Sequence, residues 1–215
     1  EIKKICDDNN IALIEDAAWG CGGSLNNQYL GTWGRMGAYS FDFAKTITTG
    51  EGGMLSFKNK KDYEKASAWH DHGHQNNPNV PRWEDTRTGR GFNYRMSELQ
   101  GAVGIAQLKK LKKIVKYQNI NRNKIWDRLK KYKELKIRSA PLGSYETADA
   151  LIFFVNDKKT ALKCRSELMK VNIPTKILPE AMTWHFAGEW EHIKEIDRSS
   201  IENYRQSKEI LYKAV

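Results

Sequence analysis

In the stretch "SFDFAKTITTGEGG", Ser40 to Gly53, one lysine stands apart from charged runs such as "KNKKDYEK" and "QLKKLKKIVK". An amine does covalent work when it is partly desolvated or lies near other cations, because its neutral form then attacks a carbonyl. The apolar flank "FDFA" offers desolvation to Lys45. Thr46, Thr48 and the turn Gly50 to Gly53 offer hydroxyl and backbone N–H donors to an anion held close to the chain. Lys45 is therefore a candidate Schiff-base lysine beside a phosphate, against the alternative of a surface lysine.

Asp16 strengthens that candidate. It closes the apolar run "IALIED", and Ala17 and Ala18 after it leave room for a flat ring. Pyridoxal phosphate requires a carboxylate against its ring nitrogen, so that the ring stays protonated and withdraws electrons. The alternative for a strand-end aspartate is a helix N-cap.

The elements that must position these residues follow from periodicity. "EIKKICDDNN" reads as the end of an amphipathic helix, and Ile11 to Ile14 as a short buried strand. A polar hairpin-like segment "NNQYLGTWG", a strand "GAYSF" leading to Lys45, a strand "GGMLSF" and a helix "NKKDYEKASAWHDHG" come next. His74 to Gly91 is polar and aperiodic, a long loop of the kind kept for function. Helical spacing resumes at "SELQGAVGIAQLKKLKKI" with Ser97 as N-cap, and a second charged helix "YQNINRNKIWDRLKKYKEL" follows. "ALIFFVN", "KKTALKCRSELMKVN" and "IPTKILP" then read as strand, helix, strand. The expected division is residues 1–120, the later part of a large domain, and 121–215, a small and incomplete α+β domain. Only one founding strand precedes Asp16, so the sequence reads as the later part of a longer chain.

Composition narrows the classes. The chain has 215 residues and 40% hydrophobic content, enough for one good core or two small ones. It has no run of about 18 apolar residues and no signal-peptide plan, so a soluble cytoplasmic protein with no membrane partner is expected. Cys6, Cys21 and Cys164 lack metal-ligand spacing, which predicts no zinc site and no disulfide framework. The net charge of +10 raises nucleic-acid binding, yet the lysines alternate with Leu and Ile at helical spacing, as on a solvated helix face. No nucleic-acid motif supports that class.

The third feature is "GFNYRMSELQGAVGIAQLKKL", Gly91 to Leu111. With "IEDAAWGCGGSLNNQYLGTWGRMGAYSF", "SFDFAKTITTGEGGML" and "HDHGH", it resembles, in the same order, the pyridoxal-phosphate-dependent sugar aminotransferases of the DegT/StrS type. The resemblance covers roughly residues 1 to 115. It implies the α/β architecture of fold-type-I transferases: a mixed, mostly parallel sheet flanked by helices, plus a small C-terminal α+β domain. It further implies that Lys45 bonds the cofactor and shuttles a proton, that Asp16 pairs with the ring nitrogen, and that Ser40 bonds the phosphate. Asn93 would reach across a homodimer to the phosphate held by the neighbouring subunit, so that active sites are shared. Trp19 stands where the family often has Gln or His beside the cofactor's phenolic oxygen, and an indole offers only a donor N–H there. The family's N-terminal half, with a Gly-Thr phosphate turn and a stacking aromatic, is absent from the sequence.

Family members with His in place of the lysine dehydrate, so Lys45 argues for amino transfer. The donor implied is L-glutamate. The acceptor is a nucleotide-linked keto-deoxy sugar or, from "KTITTGEGG", "DHGH" and "WHFAGEWEHI", an oxidised octulosonate, for surface polysaccharide biosynthesis. Arg90 and Arg95 flank Asn93 and would meet a substrate carboxylate or phosphate, against the alternative of surface ion pairs. His70, His72 and His74 alternate at a helix-to-loop junction without a completing ligand, which favours substrate or subunit contact over metal. Trp184, His185 and Trp190 would touch a sugar or fill a core. A non-catalytic remnant serving assembly and a basic nucleic-acid binder remain the other classes.

Overall fold

The computed structural model describes residues 1–175, 181–190, 192–194 and 204–215. The chain packs as two compact units. Glu1–Ile120 with Ala140–Asp149 forms one, and Asn121–Ser139 with Ala150–Val215 the other.

In chain order, α1 (Ile2–Asp8) precedes β1 (Ile14–Asp16), the hairpin β2 (Ser24–Leu25) and β3 (Gln28–Tyr29), β4 (Met36–Ser40) and β5 (Gly53–Phe57). Then come α2 (Lys60–His70), a 3-10 turn at Arg82–Glu84 and the long α3 (Glu98–Leu129). β6 (Lys136–Ile137), β7 (Ser144–Tyr145) and β8 (Phe153–Phe154) are short. α4 (Lys158–Lys170), α5 (Met182–His185), a 3-10 turn at Ala187–Glu189 and α6 (Arg205–Leu211) follow.

The sheet that matters for the site has the order β1-β4-β5. β1 runs parallel to β4, with Asp16 opposite Ala38, and β4 runs antiparallel to β5, with Ser40 opposite Gly53. The resemblance implies a mixed, mostly parallel sheet; among the described residues this sheet is mixed, with one parallel and one antiparallel pair. The reason is the connection. Residues 41–52 form a loop without a crossover helix, so the chain doubles back beside the strand it has just left. β1 also sits later than the apolar run suggests, because its ladder starts only where β4 lies alongside. Ahead of it, the Leu13 carbonyl takes one bond, from the Arg35 N–H at 2.7 Å.

Cys21, Phe41 and Ile47 form a buried cluster with Tyr39, Leu111 and Ile114 packed against it, and Val115 is fully buried. Helix α3 thus seals the turn after β1. Gly22 permits this: its φ is +92°, and a Cβ there would lie 3.0 Å from both Leu111 Cδ1 and Val115 Cγ2. Burial also raises the pKa of the Cys21 thiol. On the other side of α3, Lys109, Lys110, Lys112, Lys113 and Lys116 are exposed, as an amphipathic helix requires.

The sequence suggests two helices where the structure has one of 32 residues. Its start is as expected: Ser97 and Gln100 form a reciprocal cap, the Ser97 N–H donating to Gln100 Oε1 at 2.9 Å and the Gln100 N–H to Ser97 Oγ at 3.3 Å. Its continuity rests on Asn119. The Asn119 amide donates to the carbonyls of Val115 at 2.9 Å and Glu146 at 2.8 Å, so the asparagine anchors the helix instead of ending it.

In the second unit, β6 pairs antiparallel with β8, and Phe153 exchanges backbone bonds of 3.0 and 2.8 Å with Val215. Asp157 caps α4 by accepting from the Thr160 N–H at 2.8 Å. The strand expected in "IPTKILP" includes 176–179, which lie outside the described residues. Among the described residues no helix is long and apolar enough to cross a membrane.

Candidate active site

β1 and β4 bring two of the expected residues to one edge. Asp16 closes β1 and Ser40 closes β4, and the strands are parallel, so both residues stand at the carboxyl ends of adjacent parallel strands. That is where open α/β sheets bind ligands. Alternation sends the neighbouring Glu15 to the opposite face. There it accepts the N–H groups of Gly31, Trp33 and Gly34 at 2.8, 2.6 and 2.6 Å, closing the loop that leads into β4. Asp16 remains exposed, and among the described residues its Oδ1 accepts only the Ala18 N–H, at 3.0 Å.

Lys45 lies in the loop between β4 and β5. The loop is pinned by Phe41, whose carbonyl accepts the Thr49 N–H at 2.9 Å and the Thr48 hydroxyl at 3.1 Å, while its own N–H donates to the Gly52 carbonyl at 2.8 Å. Thr48 Oγ1 also accepts the Gly50 N–H at 2.9 Å, so that hydroxyl is engaged within the loop. The "FDFA" flank supplies less desolvation than its composition suggests, since Phe43 is 76% exposed. The apolar neighbour of the amine is instead Trp19: Lys45 Nζ sits 3.8 Å from the centre of its ring. No ion pair involves Lys45 among the described residues, and the residue is half-buried. Ser40 Oγ accepts the Asp42 N–H at 3.3 Å, and its own hydrogen has no acceptor among the described residues.

Asn93, Arg95 and His72 gather around Asp71, a residue the sequence reading passes over. Asp71 is 3% exposed. Arg82 grips it with two bonds, of 2.6 and 2.7 Å, while Arg95 Nε lies 3.4 Å away and His72 Nδ1 also 3.4 Å away. The Arg82 bonds, against the cost of burial, hold the Asp71 carboxyl well below the usual carboxylate range. Asp71 and Asn93 form a backbone bridge, and Arg95 Nε donates to Asn93 Oδ1 at 3.0 Å. Arg95 is therefore engaged inside this cluster, whereas Arg90 is exposed and has no partner among the described residues. A sequence signal for Asp71 does exist: an acid wedged between two histidines where a helix stops.

The other histidines separate. His70 Nδ1 meets the Ser67 carbonyl at 2.5 Å, and His74 Nδ1 faces Asp85 at 3.3 Å. Among the described residues no group of three His, Cys, Asp or Glu is placed to hold a metal ion. His185 ends α5, and its side chain lies outside the described residues.

These groups fit pyridoxal phosphate. Lys45 offers an amine without an ion-pair partner among the described residues, Asp16 an exposed carboxylate backed by the small Ala17 and Ala18, and Ser40 a hydroxyl hydrogen.

The profile of the DegT/DnrJ/EryC1/StrS aminotransferase family matches residues 1–187. GDP-perosamine synthase of Vibrio cholerae is 35% identical over 115 residues, which are 54% of this chain and 30% of that protein. Among solved structures, the aminotransferase from Psychrobacter cryohalolentis aligns with a TM-score of 0.78 at 21% identity, over 99% of this chain and 58% of that one. E. coli GDP-4-keto-6-deoxy-D-mannose 3-dehydratase with bound hydrated pyridoxal phosphate aligns with a TM-score of 0.76 at 22% identity, over 99% and 57%. The chain thus spans under a third of that curated relative and just over half of each solved chain. The architecture is part of the fold-type-I transferase fold, and pyridoxal phosphate is the cofactor of these aminotransferases. With its profile matched over most of its length, the chain belongs to the DegT/DnrJ/EryC1/StrS aminotransferase family.

Proposed function

We propose that this chain carries the catalytic lysine of a pyridoxal-phosphate-dependent sugar aminotransferase. It would move an amino group from L-glutamate to a keto-sugar, either nucleotide-linked or an oxidised octulosonate, in surface polysaccharide synthesis. The observation that carries this reading is Lys45: a half-buried amine outside any ion pair among the described residues, resting on Trp19 beside the carboxyl ends of β1 and β4.

Bound pyridoxal phosphate supplies an electron sink for the carbon that loses its proton. Lys45 Nζ is the nucleophile that holds the cofactor and the base that carries the proton back. Asp16 keeps a proton on the ring nitrogen. Ser40 donates to the phosphate from the subunit that holds it, and Asn93 donates from the partner in a homodimer. As a primary amine, Lys45 can both bond the aldehyde carbon of the cofactor and carry the proton, whereas an imidazole could do only the second.

The test is to add pyridoxal phosphate, follow the band near about 400 nm, reduce with borohydride and locate the label by peptide mass. The expected label is on Lys45, with no band and no glutamate-dependent turnover in Lys45→Ala. Turnover by Lys45→Ala would sink the reading. An assembly role without catalysis is the second reading, favoured by exposed apolar residues on the sheet, Ile14 of β1 and Met54 and Leu55 of β5. It requires a folded chain with no band at all.

A further inference from the structure

We propose that Asp71 and Arg95 form a positioning relay that fixes the Asn93 side chain with its amide hydrogens outward, towards an anionic group. Resting on the reading above, that group is the cofactor phosphate.

The geometry runs inward to outward. Asp71 is buried and held by two Arg82 bonds, which fixes its carboxylate as a rigid post. Arg95 Nε lies 3.4 Å from that post and donates to Asn93 Oδ1 at 3.0 Å; the Arg95 backbone N–H approaches the same oxygen at 3.4 Å. The amide oxygen of Asn93 is thereby occupied. Its Nδ2 hydrogens have no acceptor among the described residues, and the residue is exposed. An amide so held presents donors only. Arg95 therefore acts through Asn93, which differs from the direct substrate contact its sequence position suggests.

The test titrates the full chain with pyridoxal phosphate and, separately, with pyridoxal, following tryptophan fluorescence. Arg95→Gln leaves the Asp71 and Arg82 pair intact, so it carries the test even if Asp71→Asn folds poorly. Arg95→Gln and Arg95→Lys should each weaken pyridoxal phosphate binding about tenfold, the loss of one charge-assisted bond. Pyridoxal, which lacks the phosphate, should bind as before. In an Asn93→Ala background neither change should cost more, because the relay has lost its end. Without cofactor, the Arg95 Nε–H signal in NMR should exchange slowly in the wild type and fast in Asn93→Ala. Full affinity in Arg95→Lys, equal losses for pyridoxal, additive losses with Asn93→Ala, or fast exchange in the wild type would each overturn the relay. A wild-type chain that takes up no pyridoxal phosphate overturns the functional reading, and the phosphate end of the relay with it.

Discussion

Asp16 has two possible employments, and its surroundings separate them. It closes a strand, stays exposed, and spends one oxygen on the Ala18 N–H. No helix starts there, so the N-cap alternative loses its object. Asparagine keeps a carbonyl oxygen for Ala18 but cannot hold a proton on a ring nitrogen. Asp16→Asn should therefore melt within a degree or two of the wild type and lose roughly a hundredfold in rate, the scale of a lost proton-holding group. Equal loss of rate and melting temperature would return Asp16 to a structural role. Lys45 and Asp16 stand out as candidates because their chemistry is written locally: a lysine among apolar and small residues, an acid at the end of an apolar run. Trp19 under the amine was not, since contact between the turn after β1 and the loop after β4 depends on the register Asp16 to Ala38. Asp71 was missed for the same reason, its partners Arg82 and Arg95 lying far along the chain.

Helix α2 shows how an element is anchored by groups outside its own periodicity. Its N-cap, Asn59, accepts the Asp62 N–H at 2.8 Å and donates its amide to Asp62 Oδ2 at 2.6 Å, a reciprocal cap. Arg35, just before β4, adds two bonds to the same carboxylate, one of 2.6 Å and one of 2.5 Å. Led by the Arg35 bonds, these contacts hold the Asp62 carboxyl down at about 2. A carboxylate whose pKa is lower folded than unfolded stabilises above its unfolded value, and that gain disappears as pH falls through the folded one. Asp62→Asn should thus melt lower than the wild type at about pH 6, and the two melting temperatures should converge as pH approaches about 2. A gap that stays constant with pH would mean that the carboxylate charge is not what ties α2 to the sheet. The helices were largely readable because amphipathic spacing and caps such as Ser97 and Asn59 lie within a few residues. The continuity of α3 was not, because it depends on Asn119 reaching the carbonyl of Glu146, a contact across 27 positions.

At the scale of the molecule, apolar groups remain open: Met54 and Leu55 on β5, Phe92 and Tyr94 stacked at 5.5 Å, Leu99 at the start of α3. Open patches of this kind mark association surfaces, and three of these residues lie within the segment around Asn93. The fold class could be recognised from four ordered motifs, whereas the direction of β5 could not, since only the partner strand decides it. The homodimer proposed here makes a sharper demand than oligomerisation alone. If Asn93 serves the neighbouring subunit's cofactor and Lys45 its own, a mixed dimer of Asn93→Ala and Lys45→Ala chains contains one site with both lesions and one with neither. In a twofold dimer the same two patches meet in both directions, so the intact site is fully formed. Half of randomly paired dimers are mixed and each has one good site of two, so activity should return to about a quarter of the wild-type level. Each mutant alone should stay near its own floor. Mixed dimers detected by mass, without recovered turnover, would place Asn93 in its own subunit's site or outside any site, and sharing of sites would fall while the role of Lys45 stood.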